Sequence, residues 1–151
     1  MSLRAELSKL NITLPHLAGP FGSYVPAKRV GNLIFVSGQL PMRDGQMLAA
    51  GPVPSRTTIE QARVAAVRCV INGLAAAETV IDLDHLRSVV RIGVFVSSDA
   101  TFFEQPKVAN AASELLIQLF GESGRHARAA VGVSSLPLDA SVEIEMVLEG
   151  G

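Results

Sequence analysis

The chain has 151 residues, a formal net charge of −1, 48% hydrophobic residues and 18% charged ones. That length holds one domain that needs no cross-links, and a pI near 6.3 gives no overall field to draw it to nucleic acid or anionic lipid. One cysteine, Cys69, excludes an internal disulfide framework, and His16, His85 and His126 are too dispersed for metal-ligand spacing. The charged share lies below the roughly 25% usual for globular chains, which favours an oligomer. The start is too polar for a signal peptide. The longest charge-free run, residues 10–27, carries Pro15, Pro20 and Pro26 and cannot form a membrane helix. A soluble protein of a reducing compartment, most simply the cytoplasm, is expected.

Leu3, Leu7 and Leu10 recur at helical spacing and predict a short helix over residues 2–10, followed by a Pro- and Gly-rich loop to Ser23. Residues 24–30 and 33–37 read as extended runs joined by Gly31-Asn32, a dipeptide suited to a tight hairpin turn. Residues 38–55 read as loop, with a short strand at 46–49. A long helix is expected from Thr57, with Thr57 and Glu60 as a capping box. Ile59, Ala62, Ala66, Val67, Val70, Leu74 and Ala77 form its apolar stripe, and Cys69 reads as a small buried side chain. Residues 89–96, rich in β-branched side chains, predict a strand. A second helix enters at Pro106 and stops at Gly121. It buries Val108, Ala112, Leu115, Leu116, Leu119 and Phe120, and turns Asn110, Glu114 and Gln118 to another side. Residues 128–134 and 141–148 read as a final hairpin, with Val142, Ile144, Met146 and Leu148 under the helices. The order β-β-α-β-α-β-β is that of an α+β sandwich with helices on one sheet face.

That last hairpin carries the candidate chemistry. Alternation lets Arg128 and Glu143 both point to the face away from the helices, opposite or diagonal to each other. One reading is a solvated ion pair worth about 0–1 kcal/mol. The other notes that Ala127, Ala129, Ala130 and Gly132 leave space beside the guanidinium, whose fork binds a carboxylate through parallel hydrogen bonds. A glutamate beside it can hold a water or move a proton. His126 reads either as a proton carrier or as a strand-edge polar residue. The run Gly19-Pro20-Phe21-Gly22 lacks the lysine and hydroxyl residue of a phosphate loop. Arg87, Arg91 and Lys107 form no stripe with aromatics, so nucleic-acid binding has little support.

The run Ala127-Arg128-Ala129-Ala130-Val131-Gly132-Val133, then Leu136-Pro137, then Val142-Glu143-Ile144-Glu145 resembles the signature of the RidA family, also called YjgF, the reactive-intermediate deaminases. Ser23-Tyr24-Val25, residues 31–41 from Gly31 through Ser37-Gly38-Gln39 to Pro41, and Val108-Ala109-Asn110-Ala111 extend the likeness from about residue 20 to 149. The resemblance implies a single domain over residues 1–151 with an N-terminal extension at 1–22, and a chorismate-mutase-like fold with two helices on one face of a mixed sheet. It also implies a homotrimer whose helix-free faces pack into a central barrel, with pockets between subunits. The activity it implies is hydrolytic deamination of enamines and imines such as 2-aminoacrylate and 2-imino acids, giving 2-oxo acids and ammonia, with no metal or cofactor. By position, Arg128 grips the substrate carboxylate, Glu143 orients or activates water, Tyr24 and Asn110 line the pocket, and Ser37 and Gly38 help seat the ligand. His126 replaces a common proline, and Ala130 a common cysteine. The chain is most similar to a longer branch sharing the 105–110 and 124–128 blocks. The alternatives are a non-catalytic trimer that binds small carboxylates or proteins and, last, a ribonuclease or translation inhibitor.

Overall fold

The computed structural model describes residues 2–17 and 22–151. Gly19, Pro20 and Phe21 of the expected loop lie outside the described residues. Helix α1 is Leu3–Lys9, capped by the Ser2 hydroxyl and docked by Leu3 and Leu7. Strands β1 (Ala27–Val30) and β2 (Leu33–Gln39) form the expected hairpin, with Gly31 at φ 60° in the turn. The predicted strand at 46–49 is half of a small hairpin, β3 (Met42–Arg43) and β4 (Gln46–Met47). Then follow α2 (Ile59–Glu78), β5 (Leu86–Ser97), α3 (Gln105–Phe120), β6 (Ala127–Val133) and β7 (Val142–Gly150).

The sheet order is β1-β2-β7-β5-β6. β5 and β6 are parallel and the other neighbours antiparallel, so the sheet is mixed. Along β7, buried Val142, Ile144, Met146 and Leu148 alternate with Glu143, Glu145, Val147 and Glu149. The buried set joins Ile34 and Val36 of β2 and Ile92, Val94 and Val96 of β5 in one core beneath both helices. Small side chains on α2, among them Ala62, Ala65, Ala66 and Cys69, are buried there, while Leu74, Leu116 and Leu119 fill the volume. Burying each such leucine contributes about 1.5–3 kcal/mol. The α+β arrangement with two helices on one face of a mixed sheet is therefore the one observed.

Two expectations are corrected. The helix cap falls one residue later: Thr58 and Gln61 form the capping box of α2. Thr57 is buried instead, its hydroxyl 2.8 Å from both the Ala50 carbonyl and the Ser141 hydroxyl. Adjacent threonines offered alternative caps, and the loop network claims the first. The second correction concerns the final hairpin, which does not form: β5 lies between β6 and β7. Helix α3 returns the chain parallel to β5, making a β-α-β unit. The following loop then crosses to the far side of β5, anchored where Gly51 N donates to Asp139 O and Ser141 N to Ala49 O.

Candidate functional site

Arg128 stands on β6, an edge strand, in register with Ile92, as Ala130 is with Val94. Those partners are core residues, so Arg128, Ala130 and Gly132 lie on the helix side of the sheet. The sequence placed Arg128 on the other side. Space explains the reversal: only small residues fit under the start of α3, where Gln105 Nε2 would stand 2.6 Å from a Cβ at position 132. At the open end of this groove, Arg128 Nη1 donates to Asn110 Oδ1 at 2.9 Å and to Ser113 Oγ at 3.1 Å. His126 Nε2 lies 2.9 Å from the same Ser113 Oγ, and its Nδ1 is 2.6 Å from the Gly124 carbonyl oxygen.

Among the described residues no carboxylate pairs with Arg128. Arg4, Arg43, Arg56, Arg63, Arg91 and Arg125 have acidic partners, whereas Arg29, Arg68 and Arg87, like Arg128, have none among the described residues. Arg128 is held by neutral oxygens and its charge stays uncompensated. The sequence reading brought Asn110 to this place but missed Ser113. The signal was present, since residues 110 and 113 stand one turn apart on the same helix face.

Glu143 is on the opposite face, in register with Phe95 of β5. The expected pairing of Arg128 with Glu143 is thus absent. Two strand spacings across and three residues along put their Cα atoms roughly 14 Å apart. The Glu143 carboxylate lies against Gly38, where β2 shifts register between Val36 and Gln39. A Cβ at position 38 would collide with Glu143 Oε2. Burial, and secondarily the neighbouring Glu145, raise the Glu143 carboxyl above the usual carboxylate range. The Ser37 hydroxyl donates to the Val25 carbonyl at 2.7 Å and so ties the strand to the incoming loop. Tyr24, 61% exposed, sits on the rim of a cleft of about 600 Å³ that Gly38, Leu40, Arg68 and Asn72 also line. The six predicted residues form two groups, Arg128 with Asn110 and Tyr24 with Ser37, Gly38 and Glu143, on opposite faces of one chain's sheet.

The family model described as "YjgF/chorismate_mutase-like, putative endoribonuclease" matches residues 4–149, spanning both groups. The chain belongs to the YjgF family. Among YjgF-related proteins, it is 40% identical over 147 residues to Protein TCP17 of Trypanosoma cruzi, covering 96% of this chain and 92% of that protein. It is 30% identical over 139 residues to the 2-iminobutanoate/2-iminopropanoate deaminase of Dermatophagoides farinae, covering 91% and 93% of the two chains. The crystal structure of Atu1372 from Agrobacterium tumefaciens, a protein of unknown function, superposes with a TM-score of 0.91 at 42% identity, over 99% of this chain and 92% of that one. Arg128 and Glu143 stand on separate strands, β6 and β7. Among the described residues no group of three or more His, Cys, Asp or Glu side chains could hold a metal ion. No helix among them is long and apolar enough to cross a membrane. Cys69 is fully buried beneath the sheet, and burial pushes its thiol pKa up, away from thiolate chemistry.

Proposed function

We propose that this YjgF-family protein hydrolyses enamines and imines of the 2-aminoacrylate type, including 2-imino acids, to 2-oxo acids and ammonia. The observation that carries the reading is the Arg128 guanidinium, seated on the neutral oxygens of Asn110 and Ser113 with no acidic partner among the described residues. A substrate carboxylate completes that electrostatic pairing through the remaining edge of the fork.

The two groups on opposite sheet faces imply a site completed by neighbouring protomers, in the homotrimer that the family resemblance suggests. The helix-free face carries Leu33, Phe35 and Val131, each exposed in the single chain, and a neighbour covering them removes apolar surface from water. In the assembled site, Arg128 fixes the carboxylate and Glu143 orients a water toward C2 of the protonated imine. As the C–O bond forms, the C=N π pair moves to nitrogen and the water proton passes to Glu143. The resulting carbinolamine takes that proton on nitrogen, and the C–N bond breaks. Ammonia leaves and the hydroxyl proton is released as the carbonyl forms. An iminium carbon is already electrophilic, so positioning supplies much of the acceleration. Localisation in the cytoplasm and the role of Tyr24, Ser37 and Gly38 in seating the ligand belong to the same proposal.

The test generates 2-aminoacrylate with a pyridoxal-phosphate dehydratase and follows 2-oxo acid formation. Acceleration by the wild type and its loss in Arg128→Ala is the expected result. No acceleration over buffer, or undiminished acceleration by the variant, refutes the reading. The separation of Glu143 from Arg128 within one chain also suits a non-catalytic carboxylate-binding module, which needs only the arginine. Binding of 2-oxo acids that survives Glu143→Gln, with no imine turnover by the wild type, selects that alternative.

A further inference from the structure

Arg128 is gripped by one nitrogen. Nη1 spends its hydrogens on Asn110 Oδ1 and Ser113 Oγ, while Nε and Nη2, the parallel edge of the fork, make no bond within the described chain. Behind Ser113 stands His126, with Nε2 at 2.9 Å from the hydroxyl and Nδ1 at 2.6 Å from the Gly124 carbonyl. Donor and acceptor chemistry orders this set. A carbonyl only accepts, so Nδ1 carries the proton. In a neutral ring Nε2 is then a bare acceptor, so the Ser113 hydroxyl donates to it, leaving Ser113 Oγ to accept from Arg128. The bonds run in one direction, from Arg128 through Ser113 and His126 to the Gly124 backbone, and each polarises the next.

We propose that Ser113 and His126 are positioning residues that aim the free edge of Arg128 at the carboxylate of a 2-oxo or 2-imino acid, and that they do so through a neutral His126 protonated on Nδ1. Neither touches the ligand. The inference rests on the reading of Arg128 as the carboxylate anchor and adds what orients it. Without Ser113, Nη1 keeps Asn110 alone and the guanidinium plane swings about that single bond. Without an acceptor at His126, the Ser113 hydroxyl loses the partner that directs its lone pairs toward Arg128.

The experiment is calorimetric binding of 2-oxobutanoate to the full-length protein, with nitrogen-15 NMR of the His126 ring in the wild type. Arg128→Ala abolishes binding. Ser113→Ala and His126→Phe each weaken it about tenfold, the scale of one charge-assisted hydrogen bond. Ser113→Thr keeps the hydroxyl and His126→Gln keeps an acceptor near Nε2, so each stays within about threefold of the wild type. The NMR spectrum shows the Nδ1-protonated neutral tautomer, a readout that depends on no variant folding. If Arg128→Ala binds like the wild type, the anchor reading fails and the positioning role falls with it. If Arg128→Ala loses binding while Ser113→Ala and His126→Phe do not, or if the conservative variants fail to rescue, the positioning role alone is overturned. An Nε2-protonated ring overturns it as well.

Discussion

Gly38→Ala separates site geometry from fold stability. Gly38 does not need left-handed backbone, since its φ is not among the positive values, so alanine fits the main chain. The new Cβ would stand 3.0 Å from Glu143 Cδ and 3.3 Å from Cγ, with Oε2 closer still. Relaxing these contacts to ordinary van der Waals separation requires the carboxylate to move by on the order of 1 Å. The moving group is the end of a flexible side chain, so the strain is small. It is offset by the entropy that alanine removes from the unfolded chain, about 0.4–1 kcal/mol. Net stability therefore stays within about 1 kcal/mol of the wild type, an unfolding midpoint change of roughly 2–4 °C. Activity falls much further, because a 1 Å error in a water-orienting group costs about 100-fold. The assay is imine turnover beside thermal unfolding, with Glu143→Gln and the double variant completing a cycle. Since alanine acts by displacing the carboxylate, the double variant is no slower than Glu143→Gln alone. Full activity in Gly38→Ala, or a double variant slowed by the product of both single effects, would refute the reasoning.

Three further outcomes are expected. Arg128→Lys retains the charge but loses the planar fork, so 2-oxo acid binding measured by calorimetry weakens about tenfold; unchanged affinity contradicts a bidentate grip. Because the Glu143 carboxyl is raised above its ordinary 4.5 by burial and then by Glu145, the folded chain holds that proton more tightly than the unfolded one. Its contribution to stability is complete below that value and is lost as pH rises through the raised one. Glu143→Gln carries no such loss, so its melting temperature exceeds the wild type's at about pH 7 and the advantage disappears by about pH 4; a difference independent of pH counts against it. Leu116→Ala, at a fully buried position of α3, costs about 2–5 kcal/mol and lowers the unfolding midpoint in a thermal melt by roughly 4–20 °C, while a change under about 1 kcal/mol means the site collapses around the cavity.

The elements most legible in the sequence are those whose side-chain contrast is large. Along Val142–Gly150, buried Val142, Ile144, Met146 and Leu148 alternate with three glutamates and one valine, so the buried face follows from the pattern alone. On α3, Val108, Ala112, Leu115, Leu116, Leu119 and Phe120 are all buried as their spacing predicts. Strand β6 lacks that contrast. Ala127, Ala129, Ala130 and Gly132 are small on both faces, so alternation does not say which side meets a helix. Val131 is 43% exposed, while Ala130 packs against the core. The candidate residues were named from motifs, but their grouping was not. Ser113 joined the site only through the packing of α3 beside β6, and Glu143 left Arg128 only through the interposed β5.

Local chemistry along the chain determined the helices, the β1–β2 turn, the alternation along β7 and membership of the YjgF family. Those features depend on neighbours a few residues apart, where propensity and periodicity act directly. Strand pairing and the face taken by Arg128 depend on residues far apart in sequence: α3 returns β6 parallel to β5, and the loop network of Thr57, Ser141 and Gly51 carries β7 to the other side. Those choices are decided by which long-range packing fills the core while pairing nearly all of its buried polar groups, and that balance exists only once the chain has folded.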